Sequence, residues 1–246
     1  MVLAAGLGTR LRPLTDDRPK ALVDVAGRTL LELTLTRLKS SGIVDVILNT
    51  HHFADQVAGY LLAHHNFGMH IEISREEVLL DTGGGLKNAA HFFLADSKSD
   101  EPFLLHNVDV LSNIDFASML RHHRDRGALA TLAVQDRPTS RYLLYDEMDR
   151  LCGRRAGIDG PLEQVREARE LRPRAFAGIH IISPRIFEMM REEGVFSIIP
   201  VYLRLAAAGE SIVAFSADQY YWRDLGRPQQ ISAASSDIHG GIYSLL

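Results

Sequence analysis

The sequence predicts an α/β fold: a Rossmann-like, mixed and mostly parallel sheet flanked by helices, in a single compact domain without a C-terminal β-helix. Three observations predict it. Short apolar runs alternate with amphipathic runs of helical period from Met1 to Arg126. The first apolar run empties into Gly6-Leu7-Gly8, as a strand turns into an anion-binding loop. Two aspartates, Asp109 and Asp224, follow apolar strands, and open parallel sheets bind ligands at strand carboxyl ends. The 246 residues, 46% hydrophobic and 24% charged, suffice for a sizeable core.

Taken in order, residues 1–5 read as a buried strand. A helix begins at Thr29 with Leu31, Leu35 and Leu38 on one face and Gly42 at its end. Residues 44–48 form a strand. Residues 53–65 form a helix with Val57, Leu61 and Leu62 inward, and residues 69–74 alternate as a strand. A helix over 86–94 is entered through Gly83, Gly84 and Gly85; a strand covers 102–106 and a helix 116–126. The rhythm implies right-handed crossovers and parallel pairing. The second half is more mixed. Strands are expected over 128–134, 142–145, 176–182 and 212–215, and helices over 184–193 and 198–208. A last helix starts between Pro228 and Ile231. The charged stretch 154–174 lacks periodicity and reads as a mobile surface segment. No repeat of fixed period appears.

Composition excludes several classes. The net charge of −4 provides no basic footprint for nucleic acid. One cysteine, Cys152, rules out an internal disulfide framework and suits a reducing compartment. No apolar run approaches the roughly 20 residues of a membrane span. The first residues lack the pattern of a signal peptide. A cytoplasmic protein without nucleic-acid or membrane partners is expected; its oligomeric state is open. The histidines come as adjacent pairs, 51–52, 64–65 and 122–123, which do not share a helix face. No zinc pattern or Gly-x-Ser-x-Gly elbow occurs.

Four stretches could carry chemistry. Gly6 and Gly8 free backbone N–H groups to approach an anion, and Arg10, Arg12, Arg18 and Lys20 add charge suited to a polyphosphate. The loop fits neither a Walker loop nor a dinucleotide fingerprint, which needs glycine where Leu11 stands. Asp81-Thr82-Gly83-Gly84-Gly85 offers flat backbone before a helix N-terminus. Asp109 in His106-Asn107-Val108-Asp109, and Asp224 in Trp222-Arg223-Asp224-Leu225-Gly226, suit a Mg²⁺ pair, since that ion is held by one or two carboxylates plus substrate phosphate.

Leu3-Ala-Ala-Gly-Leu-Gly-Thr-Arg-Leu-Arg-Pro-Leu-Thr15, with Pro19-Lys20, Asp109 and Asp224, resembles the signature of the sugar-1-phosphate nucleotidylyltransferases. The resemblance runs from Met1 to about Gly226. It implies transfer of a nucleotidyl group from an NTP to a sugar 1-phosphate with release of pyrophosphate. It assigns Arg10 and Lys20 to catalysis. Leu3, Ala4, Ala5, Gly6, Gly8, Thr9, Thr82, Gly83 and Gly84 go to the nucleotide, Asp109 and Asp224 to Mg²⁺, and Asn107 and Gly178 to the sugar. Residues up to about 135 form the nucleotide-binding part, and about 136–226 the sugar-binding part. Asp81 to Gly85 is most similar to the branch that uses UTP and N-acetylmuramate 1-phosphate. Guanylyltransferases for mannose or heptose 1-phosphate come next. A catalytically silent nucleotide-sugar regulator and a glycosyltransferase are the alternatives of other classes. Two departures stand out. Val108 replaces a glycine common in relatives, which would narrow the sugar pocket. No Glu-Lys-Pro is present, leaving Arg172 or Arg174 as substitutes for its lysine.

Overall fold

The structure, a computed structural model, describes residues 1–95 and 100–244. In chain order its elements are β1 (Val2–Leu3), β2 (Asp24–Val25), β3 (Arg28–Thr29), α1 (Leu30–Ser40), β4 (Asp45–Thr50), α2 (Ala54–Ala63), β5 (His70–Arg75), α3 (Asp81–Asn88), α4 (Ala90–Leu94), β6 (Phe103–Asn107), β7 (Val110–Ser112), α5 (Phe116–Asp125), β8 (Ala130–Gln135), β9 (Arg141–Tyr145), β10 (Leu151–Ala156), β11 (Leu162–Gln164), β12 (Arg172–Ile182), α6 (Ile186–Met189), α7 (Ile198–Ala207), β13 (Ile212–Ser216), β14 (Trp222–Asp224) and α8 (Pro228–His239). The main sheet is mixed and flanked by helices, the α/β class that the alternation predicts. The chain forms two compact units. The first comprises Met1–Asp81, His106–Ile114 and the C-terminal stretch from Tyr220; the second comprises Thr82–Leu105 and Asp115–Gln219.

In the first unit β1 lies between β4 and the end of β6, parallel to both, and β5 pairs parallel with β4. Leu3 stands in register with Asn49 on one side and Asn107 on the other. β1 is shorter than the apolar run because the chain leaves the sheet at Ala4. Its N–H donates to the Asn49 side chain (2.7 Å) instead of to a strand. α1 starts where expected. The Thr29 hydroxyl accepts from the Glu32 N–H (3.0 Å), satisfying a donor the helix leaves open, and Leu30, Leu31, Leu35 and Leu38 are buried. Gly42 follows the helix at φ +80°, the left-handed turn that glycine accepts without strain. In α2, Val57 and Leu61 point inward as expected, but Leu62 is 76% exposed. One residue is about 100° of helix, so 61 and 62 cannot both face the core squarely.

The second unit is dominated by antiparallel pairs. β12 pairs with both β8 and β9, β9 with β10 and β10 with β11, while β13 runs parallel to β8. The stretch 154–174 is therefore not a mobile segment: it holds the end of β10, all of β11 and the start of β12. Its charges conceal strands because β11 carries polar residues on an exposed edge, where Arg154 and Glu163 pair across the hairpin at 2.6 Å. Gly153 is needed there, since a Cβ would run into the Glu163 carbonyl.

The three glycines also differ from expectation. They lie inside α3, not ahead of a helix over 86–94; a separate short helix, α4, follows. Gly83 and Gly84 N–H groups both donate to the Phe196 carbonyl (2.9 and 3.1 Å), and a Cβ on Gly83 would sit 2.5 Å from the Phe196 ring. Close approach of backbone to Phe196 is what keeps position 83 small. Similarly, helix 184–193 shrinks to α6, because Arg204 grips the Glu192 carboxylate with two bonds (2.7 and 2.9 Å) and Lys87 donates to the Glu192 carbonyl (2.6 Å).

His123 is buried between hydroxyls: Nδ1 lies 3.0 Å from Thr131 Oγ1 and Nε2 3.0 Å from Ser183 Oγ. Burial first, then the positive charges of Arg185 and Arg124, push its imidazole down to about 4. In the first unit burial pushes His106 to about 4 as well. Both are neutral in the folded protein at pH 6, whereas an unfolded histidine titrates near 6.5. Between those values the unfolded chain binds more protons, so stability falls as pH drops from about 6.5 to about 4 and levels below. The slope is at most about 1.4 kcal/mol per pH unit for each histidine. Urea midpoints measured across this range are expected to decline, and His106→Gln is expected to flatten the curve. An unchanged slope in the variant would show that His106 is not involved.

Candidate active site

The site is built at the carboxyl end of β1. After Ala4 and Ala5 the chain turns through Gly6, Leu7 and Gly8. Gly8 is constrained twice: its φ is +66°, and a Cβ there would meet Thr15 Cγ2 at 2.9 Å and Lys20 Cβ at 3.1 Å. The Gly8 carbonyl accepts from Leu11 N–H (2.8 Å) and from the Thr15 hydroxyl (2.9 Å). These bonds close Thr9–Leu11 into a helical turn and bury Leu11 completely. A single turn therefore fixes where Arg10 and Lys20 start.

The four cations of this stretch are sorted by the fold. Lys20 Nζ pairs with Asp109 Oδ2, and both side chains are largely buried, 15% and 11% exposed. Arg10 lies beside Gly226 and Asp224: a Cβ placed on Gly226 would be 2.7 Å from Arg10 Nη2 and 2.8 Å from Asp224 Oδ1. Arg12 and Arg18 instead pair at the surface with their neighbours Asp16 (3.4 Å) and Asp17 (2.9 Å). Exposed pairs of that kind contribute little.

Asp109 and Asp224 come together through strand pairing. β7 follows Asp109 directly, and β14 runs antiparallel to it with Asp224 opposite Val110. The Leu225 N–H donates to the Asp109 carbonyl (2.8 Å), and Asp224 Oδ1 accepts from the Gly226 N–H (2.8 Å). Two carboxylates on neighbouring strands, one already facing a cation in Lys20, form a donor set suited to a hard divalent ion that retains water and phosphate ligands. Among the described residues no cluster of three or more His, Cys, Asp or Glu is poised for a metal.

The remaining predicted residues fall as follows. Ala4 and Ala5 are buried, whereas Gly6 and Thr9 are exposed on the loop; Leu3 and Asn107 are partly buried strand ends. Val108 is 2% exposed, and its N–H is held by the Leu3 carbonyl. In the second unit Thr82 Oγ1 accepts from Ile198 N–H (3.0 Å), and Gly83 and Gly84 spend their N–H groups on Phe196. Gly178 has φ +76° at an irregularity of β12, where pairing with β8 shifts between Phe176 and His180. Arg172 donates to the Asp146 carbonyl (2.5 Å), and Arg174 lies 3.5 Å from Asp218 and 3.8 Å from Asp136. Sequence reasoning overlooked Asn49, Glu76 and Gly226. Asn49 is a polar residue at the end of an apolar strand, the same signal that marks Asp109, whereas Glu76 follows the mixed strand β5.

A sequence profile described as Nucleotidyl transferase matches residues 1–240. The chain belongs to that family. The N-acetylmuramate alpha-1-phosphate uridylyltransferase of Caulobacter vibrioides is similar to it, 36% identical over 97% of this chain and 96% of that protein. The mannose-1-phosphate guanylyltransferase of Mycobacterium tuberculosis is 31% identical over 98% of this chain and 65% of its own length. Among solved structures, HddC from Yersinia pseudotuberculosis complexed with GMP-PN shares the fold with a TM-score of 0.75 at 22% identity, covering 96% of this chain and 97% of that one. These curated relatives of the nucleotidyl transferase are sugar-1-phosphate nucleotidyltransferases. No helix among the described residues is long and apolar enough to cross a membrane.

Gly226 tests the arrangement. In Gly226→Ala the methyl meets Arg10 Nη2 and Asp224 Oδ1, side-chain atoms rather than backbone, and must displace both. Thermal unfolding is expected to change little, while affinity for a nucleoside triphosphate drops about tenfold through misplacement of charge. Calorimetric binding together with thermal melts checks this, and an unchanged affinity for the nucleotide that binds would contradict it.

Proposed function

We propose that this nucleotidyl transferase joins an NTP to a sugar 1-phosphate, yielding an NDP-sugar and pyrophosphate. The observation that carries the reading is the sorting of charge on the first loop: Lys20 on Asp109, and Arg10 beside Asp224, with Arg12 and Arg18 left at the surface.

The chemistry needs no general base. A sugar phosphate has a second pKa of about 6 and is largely dianionic at neutral pH. Its oxygen attacks the α-phosphorus of the NTP, the new P–O bond forms, the bond to the bridging β-oxygen breaks, and pyrophosphate leaves. The protein's work is then positioning and charge neutralisation. Gly6, Gly8 and Thr9 bring backbone to the phosphates, with Leu3, Ala4 and Ala5 leading into them. Arg10 holds the β- and γ-phosphates. Lys20, released from Asp109, bridges the α-phosphate and the incoming sugar phosphate. Asp109 and Asp224 would hold Mg²⁺, which when bound supplies charge neutralisation and orientation at the α-phosphate. Thr82, Gly83 and Gly84 line the base and ribose, and Asn107 and Gly178 face the sugar. In this reading the nucleotide part runs up to about 135 and the sugar part over about 136–226, with Asn107 reaching the sugar from the first.

UTP with an N-acetylmuramate-type hexose 1-phosphate is the favoured pair, supported by end-to-end similarity to the Caulobacter vibrioides protein. GTP with mannose or heptose 1-phosphate is the second reading, supported by the Mycobacterium tuberculosis relative. The reading places the protein in the cytoplasm, where it would supply cell-wall or cell-surface polysaccharide synthesis. A matrix of nucleotides against sugar 1-phosphates, read by pyrophosphate release with Mg²⁺, decides between these. Failure of every pair removes the reading. Lys20→Ala and Asp109→Ala are each expected to lower turnover by at least about 100-fold, as loss of a preorganised charge contact does. Near wild-type turnover in either would remove the role given to that residue.

A further inference from the structure

We propose that Glu76 is a positioning residue for nucleotide binding, acting as the clamp that joins the start of the glycine loop to the backbone at Leu80. The inference rests on the function proposed above.

Glu76 follows β5 and is only 6% exposed; Asn49, near the end of β4, is 3% exposed. A directed chain of hydrogen bonds runs through them. Ala4 N–H donates to Asn49 Oδ1 (2.7 Å), and Asn49 Nδ2 donates to Glu76 Oε1 (2.7 Å). The other carboxylate oxygen, Oε2, accepts from the Leu80 N–H (2.9 Å). The residue's own backbone is held too. Its N–H donates to the Thr50 carbonyl (2.8 Å), and its carbonyl lies 2.8 Å from His51 Nδ1, which must therefore carry the proton.

Burying a carboxylate is costly, and an apolar pair of equal size would fill the space at lower cost. What the carboxylate alone provides is two acceptors on one rigid head. One reaches the Ala4 side through Asn49, and the other fixes the backbone of Leu80. The next residue, Asp81, sits at φ +61°, an uncommon left-handed conformation for a residue other than glycine. The Leu80 N–H is anchored immediately before that turn. Glu76 thus acts through backbone, holding Ala4 by way of Asn49 and Leu80 directly.

The atoms specify the test. In Glu76→Gln one acceptor becomes an NH₂ group, so either Leu80 N–H or Asn49 Nδ2 faces a donor. The double variant Asn49→Asp, Glu76→Gln restores every bond with the polarity of its central link reversed. The introduced aspartate accepts from Ala4 N–H and from the amide of the introduced glutamine, whose oxygen accepts from Leu80 N–H. UTP and GTP are titrated calorimetrically into each full-length protein with MgCl₂, with thermal melts in parallel. For the nucleotide that the wild type binds, Glu76→Gln is expected to raise Kd at least fivefold, consistent with one unmet buried donor. The double variant is expected to return Kd to within about twofold. Unchanged Kd in Glu76→Gln, with only a lower melting temperature, overturns the proposal and leaves Glu76 a structural residue. If Glu76→Gln does not fold, a folded double variant that fails to recover wild-type affinity overturns it as well. Wild-type protein that binds neither nucleotide removes the proposed function itself and this inference with it.

Discussion

Everything in the first unit depends on how the chain leaves β1. This strand has two residues, yet it is central, paired in parallel on both sides. A central strand that ends so early must satisfy its next backbone groups elsewhere. It does so on both flanks: the Leu3 carbonyl accepts from Val108 N–H, and Ala4 N–H donates to the Asn49 side chain. The glycine loop therefore departs from a hydrogen-bonded platform, and its turn is held by Gly8, Thr15 and Leu11.

That platform explains the handling of charge. A loop with several cations would repel itself unless each had a partner, and solvent weakens any pair formed at the surface. Of the four cations on this stretch, the fold gives Lys20 a largely buried carboxylate. Arg10 is directed over Gly226, a residue whose missing side chain leaves the guanidinium room beside Asp224. The two aspartates depend on each other's strands, because among the described residues β7 and β14 pair only with one another. Charge on the first loop and charge on the strand ends are thus one arrangement, not two adjacent ones.

Glycine appears in this protein for two different reasons. Gly8 takes a left-handed conformation in a loop. Gly83 lies within a helix, where the ring and carbonyl of Phe196 come too near for a Cβ. The sequence shows the same letter at both positions. A run of three glycines before an apolar segment reads as a flexible entrance to a helix; it is a helix because its first N–H groups find the Phe196 carbonyl, more than a hundred residues away.

The sequence by itself determined the α/β alternation, the capped helix from Thr29, the glycine loop with its cations and the strand-end aspartates. These rest on local period and local turn chemistry, which a chain states wherever it lies. Tertiary structure decided the rest. It separated Lys20 and Arg10 from Arg12 and Arg18, since only pairing over long sequence distances brings Asp109 and Asp224 to two of them. It turned the charged stretch 154–174 into strands, among them the edge strand β11, which needs no alternating apolar pattern. It turned Leu62 outward and gave Asn49 and Glu76 their place, since a buried polar residue is recognisable only once its partners are known.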